Sequence, residues 1–404
     1  MRTSMPFLRK LGKLVLILFA LFAVYAVWAS YAEPPRIAIG NVVGPDEEYH
    51  VSQLIDSGID LVNRTRAEAG DGIYRRDAHA KTHGCASATF TVNPSTDSRT
   101  ALGVFAEPRS YKAWIRWSNA DPGLHSDWAP DAHGMAIKLL GVPGTKLLPA
   151  EANEHTQDFV MVNNPVFIVR NIEEYTEISR DLGNGGTRRY FFPGWNPLNW
   201  RLREARLAMG LLKFPPPRNL LSDRFYSLTA YRLGTGNFVK YSVKPVPCKG
   251  SDDTPGRWAG FGANALGASL ARQLCGKKKY CYDFMVQFQR TDRYMPVEDP
   301  TIEWDESASP FIPVARIEVE PQDVSRTMTN HFCENLAMTP WHSLPEHEPV
   351  GALNRARKYV YPGSSRYRRC QNGFGFGEPL DDGSMTFDTR PCTATEAAPQ
   401  AGER

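Results

Sequence analysis

The sequence predicts an α+β fold, an antiparallel β-barrel of about eight strands with helices packed around it. Eight short stretches rich in β-branched and aromatic residues are separated by Gly, Pro and Asp turns. They fall into two groups of four, divided by a helical excursion near residues 171–182 and a Pro- and Arg-rich run. Strands therefore follow strands, the order expected of a closed antiparallel sheet with helices outside it.

The first element is a targeting or anchoring segment, residues 1–32. Arg2, Arg9, Lys10 and Lys13 precede an unbroken apolar run from Leu14 to Ala29. As a helix this run spans roughly 24 Å, or roughly 28 Å when extended to Ala32, against a hydrocarbon core of ~30 Å. Trp28 and Tyr31 fall at the far interface, and the basic flank stays on the cytoplasmic side. Ser30-Tyr31-Ala32 also fits the small-residue pattern of a signal-peptide cut. The long apolar run favours a retained anchor, and both readings take the rest of the chain out of the cytoplasm. Residues 33–50, rich in Pro, Gly and acids, read as a linker, and residues 51–370 as the folded core.

In the core, Val51, Leu54, Ile55, Ile59, Leu61 and Val62 recur at helical spacing. Strands are expected at ATFTV, YKAWIRWS, MAIKLL and DFVMVNN, starting at Ala88, Tyr111, Met135 and Asp158. They return at FYSLTAYRL, NFVKYSVKPV, YCYDFMVQF and ARIEVEP, starting at Phe225, Asn237, Tyr280 and Ala315. Helical stretches near Thr329–Leu336 and Ala352–Val360 follow, and residues 371–404 read as a disordered tail.

Composition excludes some functions. The net charge is +3, but removing the four N-terminal cations from 47 leaves 43 bases against 44 acids, so no basic surface remains for nucleic acid. There is no G-x-S-x-G elbow, P-loop, H-E-x-x-H or G-x-G-x-x-G after a strand. The seven cysteines contain no C-x-x-C pair, which argues against zinc and covalently attached haem. Cys275 and Cys281 flank a hairpin-like turn, and either a disulfide between them or buried free thiols fits the spacing.

Five separated motifs remain: Arg76-x-x-His79-Ala80-Lys81, Ile115-Arg116-Trp117-Ser118, Asp131-x-x-Gly134-x-Ala136-x-Lys138, Asn163-Asn164-Pro165-x-Phe167 and Arg357-x-x-x-Tyr361-Pro362. Each alone is weak. In this order and spacing they resemble the catalase superfamily, particularly its small catalase-related haem proteins, whose stretches look like R-x-x-H-A-K-G, V-R-F-S, D-x-R-G-x-A-x-K, N-N-x-P-x-F-F and R-x-x-x-Y-P. The resemblance covers roughly residues 70–370.

That resemblance implies a bound haem b with Tyr361 as axial ligand to the iron. It implies that His79 is the distal acid–base group, oriented by Ser118, with Asn163 as the distal amide. Counting back from Pro165 without a gap puts the family's Asn on Val162, so Asn163 requires a one-residue shift. Arg76, Arg116 and Arg368 match the arginines that hold haem propionates, Arg357 lies one helical turn from Tyr361, and Tyr175 stands where an aromatic residue flanks the pocket. Arg355-x-x-x-Tyr359 with Arg366 repeats the spacing of Arg357, Tyr361 and Arg368; Pro362 favours Tyr361.

The chain departs from large catalases in lacking room for a long N-terminal arm and extra C-terminal helices, which implies a more open pocket. Its distal loop reads Lys81-Thr-His83-Gly84 and carries one extra residue before Phe90. The expected activity is that of a haem peroxidase or catalase-like oxidoreductase on hydrogen peroxide or organic hydroperoxides, with an unassigned electron donor. The alternatives are fatty-acid hydroperoxide rearrangement, like allene oxide synthases, and non-enzymatic haem binding. Expected associations are a small peroxide, a membrane through the N-terminal anchor and, compatibly, other copies of the chain, without nucleic acid.

Overall fold

A computed structural model describes residues 5–184, 186–213, 218–250, 255–388 and 392. The strands are β1 (Thr82–Val92), β2 (Ser110–Asn119), β3 (His133–Leu140), β4 (Thr156–Val162), β5 (Phe225–Tyr226), β6 (Tyr231–Arg232), β7 (Phe238–Val246), β8 (Tyr280–Phe288) and β9 (Ile312–Val319). All pairings are antiparallel. The order β5-β4-β3-β2-β1-β9-β8-β7 closes on itself through β5–β7, giving an eight-stranded barrel with β6 on the edge of β7. This is the expected architecture.

Alternation decides which side chains fill the barrel. Phe90, Ile115, Trp117, Ile137, Phe159, Tyr241 and Phe284 point inward and form one buried core. The barrel is plugged by aromatic rings: Phe159 lies 4.6 Å from Phe284 and 5.1 Å from Tyr241, centroid to centroid. It is a packed core, so chemistry needs another place. The opposite face of β1–β4 carries Cys85, Trp114, Arg116, Ser118, Lys138 and Asp158, and these are buried as well. That face is a second interior, covered by helices and by the C-terminal chain.

Among the described residues the helices are α1 (Met5–Tyr31), α2 (Glu47–Ala69), α3 (Ile172–Gly183), α4 (Arg188–Phe191), α5 (Leu202–Leu211), α6 (Ala265–Leu274), α7 (Thr327–Asn335) and α8 (Ala352–Gln371). One of them, over Arg9–Tyr31, is long and apolar enough to cross a membrane. α2, α3 and α8 share apolar residues including Leu54, Ile172, Ala356 and Val360.

Several local expectations are corrected. FYSLTAYRL is not one strand, because Leu228 adopts φ 63° and turns the chain between β5 and β6. α8 does not stop near Val360 but continues through Pro362 to Gln371. The linker ends early, since Glu47–His50 already belong to α2. Cys281 pairs with Cys248 and leaves Cys275 free, and Cys85–Cys333 and Cys370–Cys392 are the other bridges. Residues 371–388 are not a disordered tail. Glu378 is buried and accepts hydrogen bonds from Lys138 and Thr156, and Phe387 packs on Phe332 at 4.9 Å. The tail beyond, apart from Cys392, lies outside the described residues.

Candidate active site

The site forms at one end of the barrel wall, where β1 and β3 begin and β2 and β4 end. His79 stands just before β1 in a left-handed conformation, φ 60°, unusual for a side chain with a Cβ. Its backbone is clamped on both sides: its N–H donates to the Ala120 carbonyl at 3.2 Å, and its carbonyl accepts from Arg116 Nη2 at 2.7 Å. The ring is fixed as well. Nδ1 lies 2.8 Å from the Asn119 carbonyl and 3.1 Å from Ser118 Oγ. A carbonyl only accepts, so Nδ1 carries the proton and Nε2 keeps its lone pair. Burial, and then the charge of Arg116, lower the His79 pKa to about 4, so the ring is neutral at pH 7.

The wall beside His79 is shaped by absence of side-chain bulk. A Cβ on Gly134 would lie 2.6 Å from His79 Nδ1 and 2.9 Å from Ser118 Oγ. Across the sheet Gly134 pairs with Ser118 and with Val162, so all three share the outer face. Asn163 has the opposite parity. Its Oδ1 accepts from the His133 N–H at 2.8 Å and its Nδ2 donates to Asp223 at 2.7 Å. The expectation of a distal amide at Asn163 is therefore corrected: both ends of that side chain are engaged away from His79, and the position facing the site belongs to Val162. The gap-free alignment carried the signal.

His83 also turns away, its Nε2 donating to Asn119 Oδ1 at 2.7 Å and its ring facing His133 at 6.3 Å. Lys81 pairs with Asp127 at 2.6 Å.

Beside His79 three arginines converge. Arg116 Nη2 donates to the Thr82 hydroxyl at 2.6 Å. Arg76 reaches Glu334 at 3.2 Å and the carbonyls of Cys333 and Leu336 at 3.1 and 2.6 Å. Arg368 donates to the Glu334 carbonyl and pairs with the Glu334 carboxylate at 3.6 Å. Burial first, and then repulsion from Arg76, lower the pKa of both Arg116 and Arg368, the latter to about 9. Glu334 and Asp77, whose own pKa burial raises, are acids that act on this cluster. The Nε atoms of Arg116 and Arg368 are buried without a hydrogen-bond partner. Three guanidiniums with surplus positive charge and orphaned donors form a cradle for a polyanion such as two carboxylates. Glu334 was not singled out in the sequence; nothing local marks it, because its partners come from three distant segments.

α8 supplies the remaining groups. The Arg357 guanidinium lies 5.8 Å from the Tyr361 ring centroid and hydrogen-bonds the neutral oxygens of Thr229 and Asn354 at 3.2 and 3.0 Å. Burial opposes its charge, but Tyr361, Tyr231 and Tyr175 raise the Arg357 pKa. Arg357 also acts on His79, so it links the two ends of the site. Tyr175 sits here too, its ring 5.9 Å from Phe167, and burial followed by Tyr361 raises its pKa. The competing register points elsewhere. Tyr359 is 47% exposed, Arg366 lies over Phe376, and Arg355 pairs with Glu47 and Glu298 at 2.6 and 3.0 Å.

No family model and no curated protein matches the chain in sequence. Solved structures do match in shape. Catalase A from Saccharomyces cerevisiae superposes with a TM-score of 0.57 at 18% identity, over 83% of this chain and 68% of that one. A fungal catalase gives 0.55 at 18% identity, over 76% of this chain and 62% of that one. A bacterial catalase gives 0.52 at 17%, over 84% and 64%. The fold is catalase-like, and the chain spans about two thirds of the length of these catalases.

Proposed function

We propose that the protein is a haem-dependent oxidoreductase of the peroxidase or catalase kind, acting on hydrogen peroxide or organic hydroperoxides outside the cytoplasm. The observation that carries this reading is the neutral His79, with Nδ1–H engaged and Nε2 free, beside a cradle of three arginines, Arg116 and Arg368 buried and Arg76 partly so. Such a cradle suits the two propionates of haem b, with Arg76, Arg116 and Arg368 as holders and Tyr361 as the iron ligand. Haem, when bound, supplies the redox chemistry that cleaves the oxygen–oxygen bond.

The protein's own residues move the proton. His79 Nε2 accepts it from the peroxide and returns it to the departing oxygen, while Asn119 and Ser118 keep the ring in one tautomer. Arg357, held by Thr229 and Asn354, places its guanidinium beside the Tyr361 ring. Two electrons come from an external donor or a second peroxide. Val162 in place of an amide leaves that wall with His79 and Ser118 but no side-chain amide beside them, which favours a peroxidase over rapid disproportionation.

The test is haem content. Tyr361→Phe is expected to lose most bound haem and its high-spin ferric spectrum, while Tyr359→Phe retains both. The opposite pattern would move the ligand by two residues, and full haem in both variants would remove the tyrosinate reading.

A further inference from the structure

Beside α1 the body of the protein exposes a stretch built for lipid. From Phe191 to Trp200 the chain reads FFPGWNPLNW, ten residues without a charge. Trp195 is 98% exposed and Leu198 69%, and Phe192 is exposed too. A loop that displays such side chains to water loses the free energy their burial would provide.

Contacts with α1 fix its level. The Tyr25 hydroxyl donates to the Pro197 carbonyl at 3.4 Å, and the Phe22 ring meets Trp200 edge-on at 5.9 Å. Arg206 contacts the end of the helix, donating to the Ser30 carbonyl at 2.7 Å and lying 4.6 Å from the Tyr31 ring. At 1.5 Å per residue, Tyr25 and Phe22 lie roughly 9 and 13 Å from Tyr31 along the axis. With Tyr31 at the outer interface, the uncharged stretch falls at the depth of the acyl chains and Arg206 at the headgroups. Arg188 and Arg189, both exposed, precede the stretch.

The loop pairs three of its backbone N–H groups internally, which lowers the cost of entering a low-dielectric phase. Asn196 accepts from Leu198 N–H at 3.1 Å through its side chain and from Asn199 N–H at 3.1 Å through its carbonyl. Trp200 donates from its backbone to Pro197 at 3.2 Å and from its indole to Gly194 at 3.2 Å. Pro193 and Pro197 have no N–H to satisfy.

We propose that the Phe192–Trp200 loop is a second membrane contact, inserting Phe192, Trp195 and Leu198 into the outer leaflet of a phospholipid bilayer and seating the body on the surface. The depth assignment rests on α1 spanning the membrane and is independent of haem chemistry. The test uses the full chain in phosphatidylcholine–phosphatidylglycerol vesicles with Cys275→Ser, the other six cysteines being paired. An environment-sensitive nitrobenzoxadiazole probe is attached to Trp195→Cys, Leu198→Cys, Leu18→Cys within α1, or Glu107→Cys on an exposed loop. All four sites are exposed, so the fold does not depend on them.

Doxyl groups at mid-chain of the lipid are expected to quench the probes at 195, 198 and 18 to a similar degree and leave the probe at 107 unaffected. Quenching at 18 but not at 195 or 198 overturns the proposal and keeps the anchor. Quenching at 195 and 198 but not at 18 supports the lipid contact and removes the anchor. Probes at 195 and 198 that are shielded from water yet not quenched by lipid indicate a protein partner and overturn it.

Discussion

The His79 ring cannot rotate without giving up two acceptors, at 2.8 and 3.1 Å, and it fills the space that a Cβ on Gly134 would occupy. A ring so held delivers one lone pair to one place. His79→Ala is therefore expected to retain haem yet slow the reaction with peroxide by about 10² or more, the usual share of a positioned acid–base group. Stopped-flow spectra check this, and a wild-type rate in that variant would end the proton-shuttle reading. His83 offers no rescue, since it is committed to Asn119 at 2.7 Å. The pH profile follows from the same geometry. The base form of His79 persists above its folded pKa of about 4, so kcat/KM should hold as pH falls through 6.5 and drop only near 4. Val162 gives a test in the opposite direction. Val162→Asn adds a donor on the site face, worth about 1 kcal/mol, and should speed the peroxide reaction about fivefold. An unchanged rate would mean that this face does not touch the peroxide.

At the level of elements, α7 matters more than its length suggests. It brings Glu334 and the carbonyls of Cys333, Glu334 and Leu336 to the arginines, and the Cys85–Cys333 bridge ties it to β1. The bridge closes a loop of 248 residues, which loop-closure entropy values at about 5 kcal/mol. Cys85→Ser/Cys333→Ser, or treatment with a thiol reductant, is expected to lower thermal stability and release haem during gel filtration. Unchanged haem retention would show that the arginine cradle stands without α7. The sequence could not reveal this bridge, because barrel closure alone brings the two cysteines together, whereas the strands themselves were legible from alternation and β-branched content. The arginines and His79 were legible through motif spacing. The parity of Asn163 was not, since a one-residue shift exchanges the two faces of a strand. α5 and α6 were missed for a related reason: Pro-, Gly- and Arg-rich flanks conceal short helices whose stability comes from packing.

Across the whole molecule, histidine burial sets the pH range in which the fold holds. Burial first, reinforced by Arg116 at His79, by neighbouring His83 at His133 and by Lys146 at His347, lowers four folded-state pKa values to about 4 for His79 and His83 and about 3 for His133 and His347. Their unfolded value is near 6.5. As pH falls below 6.5 the unfolded chain takes up protons that the folded one refuses, and stability is lost down to the folded values, at up to about 1.4 kcal/mol per pH unit for each histidine. On the alkaline side the sign reverses. For His342 burial opposes the charge, but Glu378 and Glu151 prevail and raise its pKa to about 10; the hydrogen bond to Asp131 raises His125 to about 9. Their stabilisation is complete below 6.5 and is lost as pH rises towards 9 and 10. With a total stability of about 5–15 kcal/mol for an ordinary domain, the acid side is the steeper. Thermal unfolding followed from pH 4 to 10 should peak near 6.5, fall sharply towards 4 and decline more gently towards 10. A flat acid limb would mean that these four rings are not held neutral, and with it the free base at His79 would lose its electrostatic support.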